Sequence, residues 1–436
     1  MAKMTALAGT AAALTAGCAK ENVPTDPDYA ELRAGFAEEE ITPGVGVSLM
    51  GYTFRQQSLR PGHTGVHDPL RVRVLAFQDA SGAAALISMD VAVLPNDFAR
   101  RVRAAVADEL NCDRSRVLLC ATHSHSGPIL MTPNPRPDKK KASDEDKSPP
   151  AWHAEAIAYT KALEPIIVET ARRAAALTYP VTASVRNAPL GIAYNRRVVT
   201  ERGLQNCWEP EQFPHRPPEL PADSTCSVLL LRQRQGNRRF LLWSTAAHPV
   251  VLGKTSRVVS ADYPGSACRM IGEMMPNTHT LFTLGACGDT QPWIATQDDP
   301  QAVETVARAA ASFVTLLSHG TTSVAPDSKV PLRLKTAEKT FRIGKRELDV
   351  VVWGLGSMRL VAMPVELFSE LAARLRRAID GPVILSTCSN GWGGYVPTKA
   401  AFAQGGYEVD AALKGGVKAG DGERLIDRIA KLARTL

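Results

Sequence analysis

The sequence predicts an α/β fold, a single large layered domain in which a mixed β-sheet packs with helices. Three observations predict it. Apolar runs of strand length alternate along the chain with stretches of helical periodicity, the pattern of a layered α/β domain. The 436 residues are 44% apolar and 22% charged, enough to bury a large core and too apolar for a disordered chain. No repeat of short period runs through the sequence, which argues against a solenoid or propeller.

Residues 1–25 read as a signal peptide or a disordered leader. Lys3 precedes a small-apolar run from Met4 to Ala16, and Cys18 follows, the outline of a short export signal of secretory or lipoprotein type. An exported protein is expected, periplasmic, secreted or lipid-anchored with peripheral membrane contact; a cytoplasmic one is the alternative if the segment is not a signal. One domain is then expected over 32–436.

Within it, Leu70–Phe77 and Ala83–Val93 read as strands, Asn96–Leu110 as an amphipathic helix and Arg116–Ala121 as a short buried strand. Met131–Pro150, rich in Pro, Lys, Asp and Ser, reads as a loop with the make-up of a lid. Ala154–Leu177 has helix spacing, and Gly203–Ala222 is a Pro-rich excursion. Cys226–Leu231 and Arg239–Ala246 read as a hairpin turned through Gln235-Gly236-Asn237. Leu348–Val352, Leu360–Met363 and Pro382–Cys388 read as strands, with Val365–Ile379 and Glu423–Leu436 as helices.

The formal charge of +7 does not mark a nucleic-acid binder, because the one dense basic run, Lys139 to Lys141, adjoins Asp144, Glu145 and Asp146. The eight cysteines contain no CxxC pair, which excludes a zinc ribbon. In an exported protein, Cys207 with Cys226 is the first disulfide to expect. Nothing in the sequence fixes the oligomeric state.

Four segments carry candidate chemistry. Thr122-His123-Ser124-His125-Ser126-Gly127-Pro128 follows a strand, and in extended backbone its two histidines face one side, suiting a metal ligand beside an acid or base. Trp243-Ser244-Thr245-Ala246-Ala247-His248-Pro249 again sets a histidine at a strand exit. Met363-Pro364-Val365-Glu366 puts a carboxylate in the first turn of an expected helix, a place that acids commonly take for the helix dipole alone. Ser389-Asn390-Gly391-Trp392-Gly393-Gly394-Tyr395-Val396-Pro397-Thr398, followed by Gly405-Gly406-Tyr407-Glu408, brings two tyrosines into a Gly-rich stretch, which suits either a cleft or a packed turn.

In this order the four segments resemble those of the neutral and alkaline, non-lysosomal ceramidases, whose motifs read THTHSGP, AxHP, a P-G-E-type segment and GYxxT. The likeness begins near Ala34-Gly35-Phe36 and runs to about Tyr407. The resemblance implies Zn2+ held by His123, His248, Glu366 and Tyr395, with His125, Arg196 and Tyr407 as catalytic residues lining the site. It also implies hydrolysis of the N-acyl amide of ceramide or a related lipid to a fatty acid and an amine. Asp262 falls in another similar segment without an assigned role.

Two departures bear on the substrate. Where the family has a GDVSPN-like segment with a serine given a catalytic role, this chain has Gly288-Asp289-Thr290-Gln291-Pro292-Trp293, and glutamine cannot form an acyl-enzyme. No counterpart to the C-terminal immunoglobulin-like domain of longer ceramidases is expected. The alternatives are a hydrolase of a different amide or ester, and a non-catalytic exported binding protein on the same fold.

Overall fold

The computed structural model describes residues 31–52, 62–133, 151–210, 220–325 and 331–436. The leader, most of the expected lid (134–150) and part of the Pro-rich excursion (211–219) lie outside the described residues. Eight strands, in chain order, build the larger sheet: β1 (Arg33–Glu40), β2 (Arg71–Asp79), β3 (Gly82–Met89), β4 (Val117–Ala121), β5 (Tyr179–Pro189), β6 (Thr225–Gln233), β7 (Arg239–Thr245) and β8 (Thr278–Leu284). They lie in the order β8-β7-β6-β5-β1-β2-β3-β4, with Thr322–Ser323 added against β5. The sheet is mixed: β3 with β4 and β7 with β8 run parallel, and the other pairs along it antiparallel. A second sheet follows from β9 (Leu334–Ile343), β10 (Arg346–Leu355), β11 (Met358–Ala362) and β12 (Val383–Ser386), with β11 and β12 parallel.

The layering follows from the strands' own side chains. Alternate residues of a strand point to opposite faces, and here both faces are apolar. Val72, Val74, Ile87, Leu119 and Trp243 belong to the core under helices α1 (Asn96–Glu109), α2 (Ala151–Ala176), α3 (Asp262–Met274) and α4 (Gln301–His319). The intervening Leu75, Phe77, Leu86, Leu118 and Leu242 pack instead on Val351, Trp353, Leu360 and Ile384 of the second sheet. The far face of that sheet, with Val350, Val352, Val361 and Leu385, is covered by α5 (Ser369–Ala378) and by the helix over Asp421–Ala433. The result is helix, sheet, sheet, helix. Burial on both faces is why β3, β4 and β7 read as near-continuous apolar runs in the sequence.

The expected helix over Val365–Ile379 begins later than its periodicity suggests. Glu366–Leu367 is a two-residue strand lying parallel to Tyr395–Val396, and α5 starts at Ser369. The reason is local: Glu366 N–H donates to Gly394 O at 3.0 Å, a pairing that holds the segment extended. The Cys207–Cys226 disulfide is not formed. Both thiols are free and buried, Cys226 in the core under the helices and Cys207 beside Tyr194 and Val198. Among the described residues no helix is long and apolar enough to cross a membrane.

One carboxylate clamps the two sheets. Asp79, at the end of β2, accepts from Arg116 Nη2 (3.2 Å) and from Leu334 N–H (2.6 Å) at the start of β9, while Arg116 also donates to Leu334 O and Ala83 O. Removing one partner of a buried ion pair strands the other charge, which costs about 3–5 kcal/mol. Asp79→Ala is therefore expected to lower unfolding stability by about that amount in urea titrations, and a loss within experimental error would show that the clamp does not hold the layers together.

Candidate metal site and cleft

His123 hangs from the end of β4, His248 from β7, and Glu366 lies past β11. The three strand ends meet where the loop after β12 crosses between the sheets. Ala121 N–H donates to Cys388 O, Asn390 N–H to Leu119 O and Thr387 N–H to Leu284 O. Nitrogen, sulfur and oxygen atoms of His123, His248, Cys287 and Glu366 all lie within 4.8 Å of one another, and all four residues are buried. Cys287 is absent from the ligand set that the resemblance implies; no spacing around it in the sequence marks it.

The two histidines of the His-x-His segment do come together, their Nε2 atoms 3.4 Å apart, but not through extended backbone, and of the two His125 lines the cavity. The strand stops at Ala121, and His123 takes a left-handed φ of +70°, costly for a residue with a Cβ. Its N–H donates to Val91 O at 2.9 Å and its Nδ1 lies 2.5 Å from Ala92 O. His248 Nδ1 lies 3.1 Å from Cys287 O in the same manner. A backbone carbonyl only accepts, so Nδ1 carries a proton in each ring and Nε2 is the nitrogen turned to the site. His125 completes a triangle of rings, its Nε2 3.4 Å from that of His123 and 3.1 Å from that of His248. Gly51 permits this packing: a Cβ there would lie 2.5 Å from the His125 ring.

Glu366 Oε1 accepts from Trp392 Nε1 at 3.1 Å, while Oε2 lies 3.6 Å from His123 Nε2 and is buried without a hydrogen-bond partner. Tyr395 faces the same carboxylate because the two residues are cross-strand partners. Gly288 lets this segment close in, since a Cβ there would lie 2.7 Å from Glu366 O. Burial works against charge on His123, yet the Glu366 carboxylate outweighs it and raises the imidazole to about 9. His248 goes the other way: burial, then the His123, His125 and Arg196 charges, push it well below the ordinary imidazole range.

Arg196 stands behind the cluster, its charge held by Glu408. Glu408 Oε1 accepts from Arg196 Nε (2.8 Å) and Asn206 Nδ2 (2.7 Å), and Oε2 from Arg197 Nη1 (2.7 Å). Arg196 Nη2 reaches Gly288 O at 2.9 Å and the Tyr395 hydroxyl at 3.4 Å. Tyr407 opens the helix over Tyr407–Lys414 and meets both Tyr395 and Trp208 edge-on. Asp262, for which no role is expected from the motifs, shapes the loop after His248: its Oδ2 accepts from Val251 and Leu252 N–H. Burial raises it to about 7. Thr290 is turned away, its Oγ1 donating to Ala246 O at 2.5 Å.

A cavity of about 600 Å³ opens onto His125, Arg196, His248, Tyr395 and Tyr407. Beyond these, its described walls mix polar groups, among them Glu209, Lys254, Thr255, Gln291, Gln297 and Asp298, with the apolar surfaces of Tyr52, Trp208 and Val250.

Two solved structures share this architecture. The neutral ceramidase from Pseudomonas aeruginosa superposes with a TM-score of 0.69 at 15% identity, over 93% of this chain and 74% of that one. A ceramidase complexed with C2 gives 0.70 at 14% identity, over 93% and 75%. The fold is neutral ceramidase-like. No family profile and no curated protein matches the chain by sequence.

Loss of Glu408 would leave two buried guanidiniums against one another. Glu408→Ala is expected to destabilise the fold by about 3–5 kcal/mol, read as a lowered thermal midpoint, while Glu408→Gln, which keeps the shape and the acceptor oxygen, should fall between it and the wild type. Equal midpoints for all three proteins would contradict this account of the arginine pair.

Proposed function

We propose that this chain is a metal-dependent hydrolase of N-acyl amides, with Zn2+ held by His123, His248 and Glu366 and with Tyr395 completing the set. One observation carries the reading: two imidazole Nε2 atoms and Glu366 Oε2 are buried together, and Oε2 has no hydrogen-bond partner. A cation answers that arrangement. Imidazole nitrogen and carboxylate oxygen are donors that catalytic zinc takes. When bound, the ion supplies Lewis acidity, polarising an amide carbonyl and making water nucleophilic near neutral pH.

The chain's own residues do the rest. Arg196, fixed by Glu408, and the Tyr407 hydroxyl border the cavity from one side and are placed to stabilise negative charge growing on the carbonyl oxygen. His125 lines the same cavity and is placed to carry a proton to the departing amine. Water adds to the acyl carbon, the carbon–nitrogen bond breaks, and a carboxylic acid and an amine leave. Ceramide is the first substrate to try on the strength of the motifs. A different, more polar amide or ester is the second reading, favoured by the polar groups, Lys254, Gln291, Gln297 and Asp298, that share the cavity wall with Tyr52, Trp208 and Val250. The export expected from the first residues belongs to the same proposal.

Purified protein should contain about one zinc per chain, lose activity on dialysis against a chelator and regain it with Zn2+. His123→Ala and Glu366→Gln are each expected to weaken metal binding by about 100-fold or more, measured by competition with a chromogenic chelator. Full activity after chelation would sink the proposal.

Metal uptake should also depend on pH in a defined direction. In the metal-free protein His123 keeps its second proton to about pH 9, so a metal must displace it. Apparent affinity is expected to rise by about tenfold per pH unit below that point, with one proton released per ion in calorimetry across buffers. Because the folded value lies above the ordinary 6.5, the His123–Glu366 pair stabilises the metal-free fold fully below pH 6.5 and loses that contribution as pH rises toward 9. Thermal midpoints of the metal-free protein should fall across that window, and flat midpoints would refute the pairing.

A further inference from the structure

We propose that Gln291 reads a hydrogen-bond donor on the substrate, so that the amide cleaved carries a hydroxyl or amine close to its scissile bond. This rests on the amide-hydrolase reading. Gln291 occupies the place of the serine to which the resemblance gives a catalytic role, and it cannot take that serine's part. Its position is fixed: backbone paired with Tyr194 in the short strand over Thr290–Pro292, side chain 1% exposed and lining the cavity. Nε2 donates to Trp208 O at 3.0 Å. A carbonyl accepts only, which settles the amide's orientation and leaves Oε1 as an acceptor. That oxygen is buried without a partner.

An unpaired buried acceptor is costly, and because Gln291 lines the cavity, a small shift of its side chain toward that side would bring Oε1 within reach of a substrate donor. A saturated acyl chain laid against Gln291 would leave Oε1 unsatisfied, whereas a substrate hydroxyl or amine would satisfy it. The other walls agree in character. Trp208 gives its carbonyl to Gln291 and its ring to Arg196 and Tyr407, so one segment ties the acceptor to the groups beside the carbonyl. Lys254, Gln297 and Asp298 continue the wall with polar groups.

The test uses two soluble amides, N-hexanoyl ethanolamine and N-hexanoyl propylamine, which differ by a hydroxyl exchanged for a methyl, with ceramide in mixed micelles alongside. Zinc-loaded wild type is expected to favour the ethanolamide by roughly tenfold or more in kcat/KM. Gln291→Leu and Gln291→Met should bring the ratio near one with metal content unchanged, and a ratio between two substrates is insensitive to any fraction of unfolded variant. Absence of a wild-type preference, or an unchanged ratio in both variants, overturns the role of Gln291. Should ceramide alone be cleaved, its own hydroxyls beside the amide nitrogen supply the donor and the comparison passes to ceramide against its 3-deoxy analogue; a ratio that both Gln291 variants leave unchanged then overturns the role of Gln291 while sparing the amide-hydrolase reading. Cleavage of none of the three removes both.

Discussion

Glu366 is the residue on which the site turns: a fully buried carboxylate with one oxygen held by an indole and the other left facing imidazole nitrogens. Burying a carboxylate without compensation is costly enough that proteins ordinarily pair it or bind a metal to it. Everything nearby bears on that compensation. His123 supplies it in the metal-free chain by taking a proton, and Arg196 adds a second positive charge farther off, itself anchored by Glu408. Even the strained φ of His123 fits this account, because it aims the ring at the carboxylate while both backbone and Nδ1 stay bonded to the Val91–Ala92 segment.

The layered architecture makes such a site possible. Residues 123, 248 and 366 are far apart in the chain, and only a framework that fixes three strand ends together can hold them in register. The parallel pairs β3–β4, β7–β8 and β11–β12 lie next to the loops concerned, and ligand sites in α/β sheets gather outside the carboxyl ends of strands. Burying both faces of the larger sheet gives the framework its rigidity. A side chain carried by a strand packed on two sides has little freedom to drift.

Much of this was legible in the residues, and the failures have physical causes. Strands β2, β3, β4, β6, β7, β10, β11 and β12 stand out because two-sided burial writes apolar runs into the sequence. Strand β1 does not, since its second half, Glu38 to Glu40, is charged and half-exposed, and β9 alternates with Lys, Glu and Thr on its open face. The helix expected over Val365–Ile379 is present but starts only at Ser369, because a two-residue pairing of Glu366–Leu367 with Tyr395–Val396 overrides local periodicity, and no local pattern encodes so distant a partner. That same pairing sets Tyr395 beside Glu366, which is why the tyrosine could be reached only through the family resemblance. Trp208, Glu408 and Cys287 carry no spacing signal at all, since each acts through contacts across the fold.

The groups facing the proposed metal and those facing the cavity come from different kinds of structure. The histidines and glutamate are tied to long strands of the two sheets, whereas Trp208, Gln291 and Lys254 stand on short strands and connections laid over them. Such segments can change without disturbing the framework beneath. A chain with only about 15% identity to a solved ceramidase can therefore keep that fold while the wall of its cavity is rewritten. By the family resemblance, position 291 is where such rewriting has the most direct consequence, because a carboxamide in place of the family's serine would remove a nucleophile and introduce an acceptor in the same wall. In the proposed reading the buried cluster of His123, His248 and Glu366 bears on the kind of bond broken, and the wall on the molecule that carries it.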